Sequence, residues 1–407
     1  MADELTGNIL PFWMTHVVDR ANGGFYGAVT NDLQVDNAVP RAAILCARIL
    51  WTYAAAYRQL GGGPRAPAEA YLAMARWAYE YLTRVFWDAD CGGLYWQVDY
   101  RGNPVVDRKH HYAQAFGIYG LAEYYRATRE ASSLALAQEL FHLLEAHAYD
   151  AVNQGYIEGS SRAWGALQDM RLSDREINCR KSMNTTLHIL EAYTNLLRVW
   201  DDARLRARHR ALIETVLRHV IDPQTHHFKL FFDDRWRSLS DHVSYGHDIE
   251  GSWLLAEAAE VGGDAELLER VRASALAMAA AVYREGIDAD GGVLYEGSPQ
   301  GLVDTHKAWW VQAEAMVGFY NAHQLSGEAH FAQAAYRCWE YIQSNLIDRT
   351  YGDWFKLLRR DGRPEPGSYK AGPWECPYHQ GRACLEMMAR LAEAPEAVAG
   401  PGAVSAA

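Results

Sequence analysis

A glycine-aromatic signal that returns six times constrains this chain more than any other feature. It reads Asn22-Gly-Gly-Phe-Tyr-Gly, Cys91-Gly-Gly-Leu-Tyr-Trp, Gln154-Gly-Tyr-Ile-Glu-Gly, His226-His-Phe-Lys-Leu-Phe-Phe, Asp290-Gly-Gly-Val-Leu-Tyr-Glu-Gly and Tyr351-Gly-Asp-Trp-Phe-Lys. Recurrence at about 60–70 residues is an internal period. Each copy predicts a short strand or hairpin, in most cases after a tight glycine turn, because glycine permits positive φ and aromatic residues suit a pleated surface.

Two segments of helical periodicity separate successive copies. Segment 41–60 places Ile44, Leu45, the aliphatic stem of Arg48, Trp51 and Ala55 at i, i+3 and i+4 spacing. Comparable runs cover 5–18, 68–86, 110–128, 134–148, 182–200, 205–220, 248–261, 265–283, 307–324, 330–346 and 381–391. Twelve helices in six hairpins, joined at one end by strand-bearing loops, predict an all-α fold: an (α/α)6 barrel with six inner helices inside six outer ones. An open α-solenoid is the alternative, but its units of roughly 34–47 residues are shorter than this period. A closed barrel is one domain, 1–393, since every hairpin needs both neighbours to bury its apolar surface. Residues 394–407, rich in Ala, Gly and Pro, read as a frayed tail.

Charge narrows the partners. With 51 acidic against 39 basic residues the chain carries −12, and without a Lys/Arg stripe it lacks the footprint that nucleic acid or an anionic membrane requires. A neutral small molecule fits better. Met1-Ala2-Asp3-Glu4 is acidic where a secretory signal would be basic, and no apolar run approaches the roughly 18 residues of a spanning helix, so a cytoplasmic protein is expected. The six cysteines, Cys46, Cys91, Cys179, Cys338, Cys376 and Cys384, form no C-x-x-C pair and read as reduced thiols in packing positions. Neither dinucleotide nor P-loop glycine pattern is present, which removes the commonest warrants for a nucleotide cofactor.

Polar residues on inner-helix faces are the candidates for chemistry. In Ser244-Tyr-Gly-His247-Asp-Ile-Glu250, His247 and Glu250 stand three apart on one helix face, so the carboxylate is expected to orient the imidazole as a general base. A core histidine or half of a metal site are the alternatives, and no further residues have convincing ligand spacing. In Trp374-Glu-Cys-Pro377-Tyr-His379-Gln-Gly-Arg382, Pro377 suits a first helical turn and groups His379 and Arg382 near a helix N-terminus beside Trp374. Aromatic rings beside polar groups suit a sugar, with its apolar face and rim of hydroxyls. Asn184 and His188 stand four apart on one face. Arg48 is a charge in an apolar face, paired or functional if buried. Trp309 and Trp310 share a helix with Glu314, where core packing of the aromatics is the plainer reading.

Taken together, Ala47-Arg48-Ile-Leu-Trp51, Tyr112-Ala-Gln-Ala-Phe116, Lys181-Ser-Met-Asn184 through His188-Ile-Leu-Glu191, Ser244 to Glu250, Trp309-Trp310-Val-Gln-Ala-Glu314 and Trp374 to His379 resemble the N-acylglucosamine 2-epimerase superfamily, most of all its cellobiose 2-epimerase branch. The resemblance runs over nearly the whole chain outside the tail. It implies an (α/α)6 barrel, in agreement with the repeat count. It also implies that His379 and His247 are the acid/base pair, with Glu250 supporting His247. By the same resemblance Arg48 contacts the reacting oxygens, His188 serves ring opening, Tyr112 and Asn184 line the pocket, and Trp310 and Trp374 are sugar platforms. The family stretch reads Asn-Thr-His-Leu-His where this chain has Thr186 in the middle, and a usual aspartate upstream is here Glu176. Glu176, Trp309, Glu314 and Arg382 complete the expected substrate contacts.

The expected activity is inversion of C2 in a reducing aldose through an enediolate, with two histidines on opposite faces, Arg48 and His188 stabilising the charge, and no metal or cofactor. A mannose or N-acylglucosamine 2-epimerase, or an aldose-ketose isomerase, uses related chemistry. A glycoside hydrolase would need two facing carboxylates, for which Glu250, Glu314 and Glu176 are available, but it leaves the histidines without a role. A non-enzymatic carbohydrate-binding scaffold is the remaining alternative. The expected partner is a reducing mono- or disaccharide, with the chain a monomer or homodimer.

Overall fold

A computed structural model describes residues 1–61, 67–174 and 176–393; the tail expected at 394–407 lies outside the described residues. Among the described residues twelve helices follow one another as α1 (2–16), α2 (Ala43–Leu60), α3 (68–86), α4 (His111–Thr128), α5 (Ala131–His147), α6 (Met183–Leu197), α7 (203–220), α8 (Tyr245–Gly262), α9 (Ala265–Glu285), α10 (Trp309–Ser326), α11 (329–346) and α12 (Tyr378–Glu393). The even-numbered helices pack side by side as an inner ring that closes with α12 against α2, and each odd-numbered helix lies outside. The expected (α/α)6 barrel is therefore the observed one. Burial explains the division: every residue from Ala43 to Ala56 of α2 is buried, as a helix covered on all sides requires. Outer α11 buries only one stripe, Phe331, Ala334, Ala335, Cys338 and Tyr341 in its first four turns. Among the described residues no helix is long and apolar enough to cross a membrane.

The glycine-aromatic signals form one antiparallel bridge each: Val18 with Phe25, Trp87 with Leu94, Tyr149 with Tyr156, Ile221 with Phe228, Ile287 with Val293 and Ile347 with Trp354. Their turns need a left-handed residue. Gly23, Gly92, Gly291 and Gly352 supply it at φ of 84°, 72°, 90° and 84°, whereas Gln154 and His226 adopt 62° and 63° without glycine's freedom. The fourth repeat thus keeps the turn although its sequence has lost the glycine.

A second ring of strands closes the loop end. The short strand before each inner helix pairs with the loop strand of the next repeat: Arg41 with Val98, Lys109 with Ser160, Lys181 with Phe232, Val243 with Gly297 and Lys307 with Leu358. The last returns to the first, Ala371 with Val29. Buried ion pairs stitch this ring to the turns. An aspartate follows each bridge, at Asp19, Asp88, Asp150, Asp222, Asp288 and Asp348. Five of them hold a cation from the strand entering the inner helix: Arg41 on Asp19, Lys109 on Asp88 at 2.9 Å, Lys181 on Asp150 at 2.9 Å, Lys307 on Asp288 at 3.0 Å and Lys370 on Asp348. The fourth repeat has Val243 in that position, and there His227 bonds Asp248 of α8 at 2.7 Å instead. These pairs fix the N-terminal ends of the inner helices, where the polar candidates lie.

Two of those ends begin earlier than periodicity predicts. Helices α8 and α12 start at Tyr245 and Tyr378 rather than 248 and 381. Their first turns carry Gly246, His247 and His379 in place of an apolar stripe, so the periodic signal starts one turn late.

Candidate active site

Arg48, Tyr112, Asn184, His188, His247, Glu250, Trp310, Glu314, His379 and Arg382 all lie in the first two turns of the six inner helices, so the barrel converges them at the loop end. Arg48 is 4% exposed. It donates from Nη2 to the Tyr112 hydroxyl at 2.8 Å, and its guanidinium carbon stands 4.3 Å from the Phe116 ring centre and 5.1 Å from that of Tyr378. Among the described residues its Nε has no acceptor, and the buried Oδ1 of Asn184 has no donor. A buried donor and a buried acceptor without partners mark a site meant for a polar guest.

His188 lies against the Phe116 and Tyr112 rings at 4.9 and 5.0 Å. Its Nδ1 meets Glu191 Oε2 at 2.8 Å, which fixes the tautomer with Nδ1–H donating and Nε2 free to accept. Burial works against ionisation of Glu191, but the Arg382 guanidinium and hydrogen bonds from His188 and Tyr378 outweigh it and bring the carboxyl down to about 2. Burial lowers the His188 ring below the ordinary histidine value. Glu191 and Tyr378 were not singled out by the sequence reasoning. The signal was available for Glu191, since it stands three residues after His188 on the same helix face.

The same spacing misled at the next helix. Glu250 does not support His247. The Nδ1 of His247 pairs with Ser244 Oγ at 2.8 Å and its ring packs 4.7 Å from Trp310, while Glu250 accepts from Arg382 Nη2 at 2.7 Å and lies 3.9 Å from His379 Nδ1. The reason is long-range: Arg382 arrives from α12 and takes the carboxylate, and the N-cap serine takes the histidine. His379 is the imidazole with the carboxylate, its Nδ1 donating to Glu314 Oε1 at 2.7 Å. Glu314 also accepts from Arg382 at 2.7 Å and from Trp253 Nε1 at 3.0 Å. Arg382 further reaches Glu191 and Tyr378, so one guanidinium ties the supports of His188 and His379 into a single buried layer.

Burial sets the protonation states. It holds His247 down at about 3, helped by the charges of His188 and Arg48, and it takes His379 well below the usual histidine value, with Arg48 and Arg382 adding to the effect. Burial and the neighbouring Glu314 push Glu250 up to about 8. Two ring nitrogens are therefore neutral bases near pH 7, and a protonated carboxyl waits beside one of them.

Trp310 lies between the two histidines, 4.7 Å from His247 and 5.7 Å from His379. Trp309, expected among the substrate contacts, donates its Nε1 to Gln380 at 3.0 Å and meets His379 edge-on at 6.2 Å, a packing position behind that ring. Trp374 is half-buried on the loop before α12, 6.1 Å from both Trp96 and Tyr112. Glu176 sits in the loop between Ser160 and Lys181, accepts from the Leu172 amide at 3.1 Å and is pushed up to about 7 by burial. The structure gives it no contact with the histidines.

Glu250, Glu314 and His379 have ligand-type atoms within 4.8 Å of one another and could in principle hold a cation. Arg382 Nη2 already stands 2.7 Å from both carboxylates, so a metal ion would have to displace a guanidinium. The donor set is better matched to the arginine.

The family model for N-acylglucosamine 2-epimerase matches residues 24–383. The chain belongs to the N-acylglucosamine 2-epimerase family. Within that family it is 47% identical over 389 residues to the cellobiose 2-epimerase of Bacteroides fragilis, covering 95% of this chain and 97% of that relative. The cellobiose 2-epimerase structure from Bacillus thermoamylovorans B4167 superposes with a TM-score of 0.89 at 42% identity, covering 96% of this chain and 98% of the other. A sugar epimerase from a ruminal bacterium gives 0.90 at 37% identity, with 96% and 97% covered. This family member is a carbohydrate epimerase with an (α/α)6 barrel.

Proposed function

We propose that the protein inverts C2 of the reducing-end aldose of a cellobiose-type disaccharide, converting the glucose configuration to the mannose configuration by proton abstraction and return between His247 and His379. The observation that carries this reading is the pair itself: two buried, neutral imidazoles flank Trp310, each with Nδ1 engaged, by Ser244 and Glu314, and Nε2 left to react.

A proton on carbon becomes removable only after the ring opens and the aldehyde acidifies its neighbour. His188, held by Glu191 with Nε2 free, is suited to take the anomeric hydroxyl proton and hand it to O5 as the C1–O5 bond breaks. One histidine then removes the C2 proton, and the electron pair passes to the carbonyl oxygen. The Arg48 guanidinium, held by the Tyr112 hydroxyl and the Phe116 and Tyr378 rings, is a fixed positive charge for that oxyanion. A proton taken up from solvent at Nε2 of the second histidine is delivered to the opposite face, giving the epimer, and the first histidine releases the abstracted proton to solvent. Glu250, 3.9 Å from the Nδ1 side of His379 and pushed up to about 8, tunes the charge around that ring. Trp310 and Trp374 offer aromatic faces to the two sugar rings.

Incubation with cellobiose and chromatography of the products tests this directly. The expected product is a disaccharide with mannose at the reducing end. Release of monosaccharides, or a ketose as the sole product, would overturn the assignment.

A further inference from the structure

The fourth residue of an inner helix has the same task in two repeats. Gln114 of α4 accepts from the Leu94 amide at 2.7 Å and donates to the Leu94 carbonyl at 2.9 Å, and Gln312 of α10 holds Val293 in the same way at 2.7 and 2.8 Å. Leu94 and Val293 are the second residues of their bridges. One neutral amide thus closes on both backbone groups. In α8 the fourth residue is Asp248, which accepts from the amide of the equivalent bridge residue, Phe228, at 2.7 Å. A carboxylate has no hydrogen to give back, and it brings a charge to a position with no exposure.

His227 meets that charge. The ring is buried, with Nδ1 2.7 Å from Asp248 Oδ2 and Nε2 3.1 Å from Glu285 Oε2 at the end of α9. A neutral imidazole has one N–H and would set its lone pair against one of the two carboxylates, so the two contacts together select the imidazolium. Burial opposes the charge, but Asp248 and Glu285 outweigh it and raise the ring above the ordinary histidine value. One side chain therefore ties the first turn of α8 to the neighbouring bridge and to the last turn of α9.

The turn so tied is the one that carries His247. His188 and His379 each have a carboxylate on Nδ1, whereas the Nδ1 of His247 meets Ser244 of its own turn. The place of His247 against Trp310 thus depends on where the turn itself sits. There is little slack: a Cβ on Gly246 would stand 2.5 Å from the Trp310 ring and 2.6 Å from Val311. Gln380, the residue after His379, is anchored in a corresponding way, by Trp309 at 3.0 Å and Asp353 at 3.2 Å. We propose that His227 is a positioning residue for the reaction, acting through Asp248 to hold the first turn of α8 and with it His247. This rests on the reading of His247 as one of the two bases. Loss of the His227 ring leaves a buried carboxylate without its cation, and the turn must shift to relieve it. A displacement of about 1 Å is enough to cost about a hundredfold in turnover.

Full-length variants test this by steady-state kinetics on cellobiose and by NMR of isotope-labelled histidine rings, with the His247 signal assigned from His247→Asn. In His227→Gln the expected kcat is lower by about ten- to a hundredfold with KM within about twofold of wild type, and the His247 ring signal moves while that of His379 stays. Adding Asp248→Gln removes the charge and rebuilds the neutral clamp of α4 and α10, so kcat should return to within about threefold of wild type. Adding Glu285→Gln instead leaves Asp248 charged and should restore nothing. Where circular dichroism shows His227→Gln unfolded, recovery of the fold by Asp248→Gln and not by Glu285→Gln is the expected result. Wild-type kcat in His227→Gln, a loss confined to KM, or a loss that Asp248→Gln leaves in place would overturn the role of His227. If wild-type protein forms no epimer from cellobiose the catalytic reading fails instead, and the His247 ring signal still decides whether His227 sets the place of that residue.

Discussion

His188–Glu191 and His247–Glu250 have the same spacing on two neighbouring helices and opposite outcomes. Spacing put each carboxylate on the right helix face, but which imidazole it meets was decided by Arg382, nearly two hundred residues from Glu191 and more than a hundred from Glu250, at contacts no local pattern encodes. Most of the candidate site was legible because its residues are polar types standing in otherwise apolar inner-helix runs. What was not legible was the wiring: Glu191 as the partner of His188, Tyr378 in the same layer, and Trp309 turned toward Gln380. The wiring makes a pH prediction. His247, held at about 3, stays neutral through the working range, so the acid limb of kcat/KM is expected below about pH 5 rather than near the ordinary histidine value of about 6.5. Glu250 is raised to about 8; it carries its proton below that pH and loses it above, so an alkaline limb is expected there. Glu250→Gln, neutral at every pH, should lower turnover and remove that limb. A limb at unchanged pH in Glu250→Gln would show that Glu250 does not set it.

At the level of elements, the six-fold period was readable from glycine and aromatic residues, and helix count and order followed from it. The stronger marker went unread: an aspartate directly after each bridge, from Asp19 to Asp348, with Arg or Lys opening five of the six strands' pairings onto it. A single acidic residue is too common to stand out until the turn that orients it is seen. Lys181 shows what the clasp contributes. It is fully buried and donates to Asp150 Oδ2 at 2.9 Å and to the carbonyls of Gln154 and Asp234 at 2.7 and 3.0 Å. Lys181→Met takes the cation from Asp150 and a donor from both carbonyls and should cost about 3 kcal/mol, read as a lower urea midpoint. The sign of its pH dependence is fixed: burial opposes ionisation of Asp150, but Lys181 and Asn153 bring its carboxyl from 3.8 to about 2. That stabilisation is present above pH 3.8 and lost as pH falls toward 2. The gap between wild type and variant should narrow over that window; a constant gap would assign the loss to packing alone.

For the whole molecule, two concentric closures determine function. The helix ring closes with α12 on α2 and the strand ring with Ala371 on Val29, so residues from all six repeats meet at one mouth although they are spread from Arg48 to Arg382. Closure follows from the period, since each hairpin alone leaves an apolar side open. The central claim is that two histidines exchange a proton at C2, and the isotopic fate of that position tests it most directly. Turnover of cellobiose in D2O, followed by NMR of the epimer, should show deuterium at C2, because a proton held on an imidazole exchanges with solvent. Epimer that retains its original hydrogen at C2 would contradict the two-histidine account.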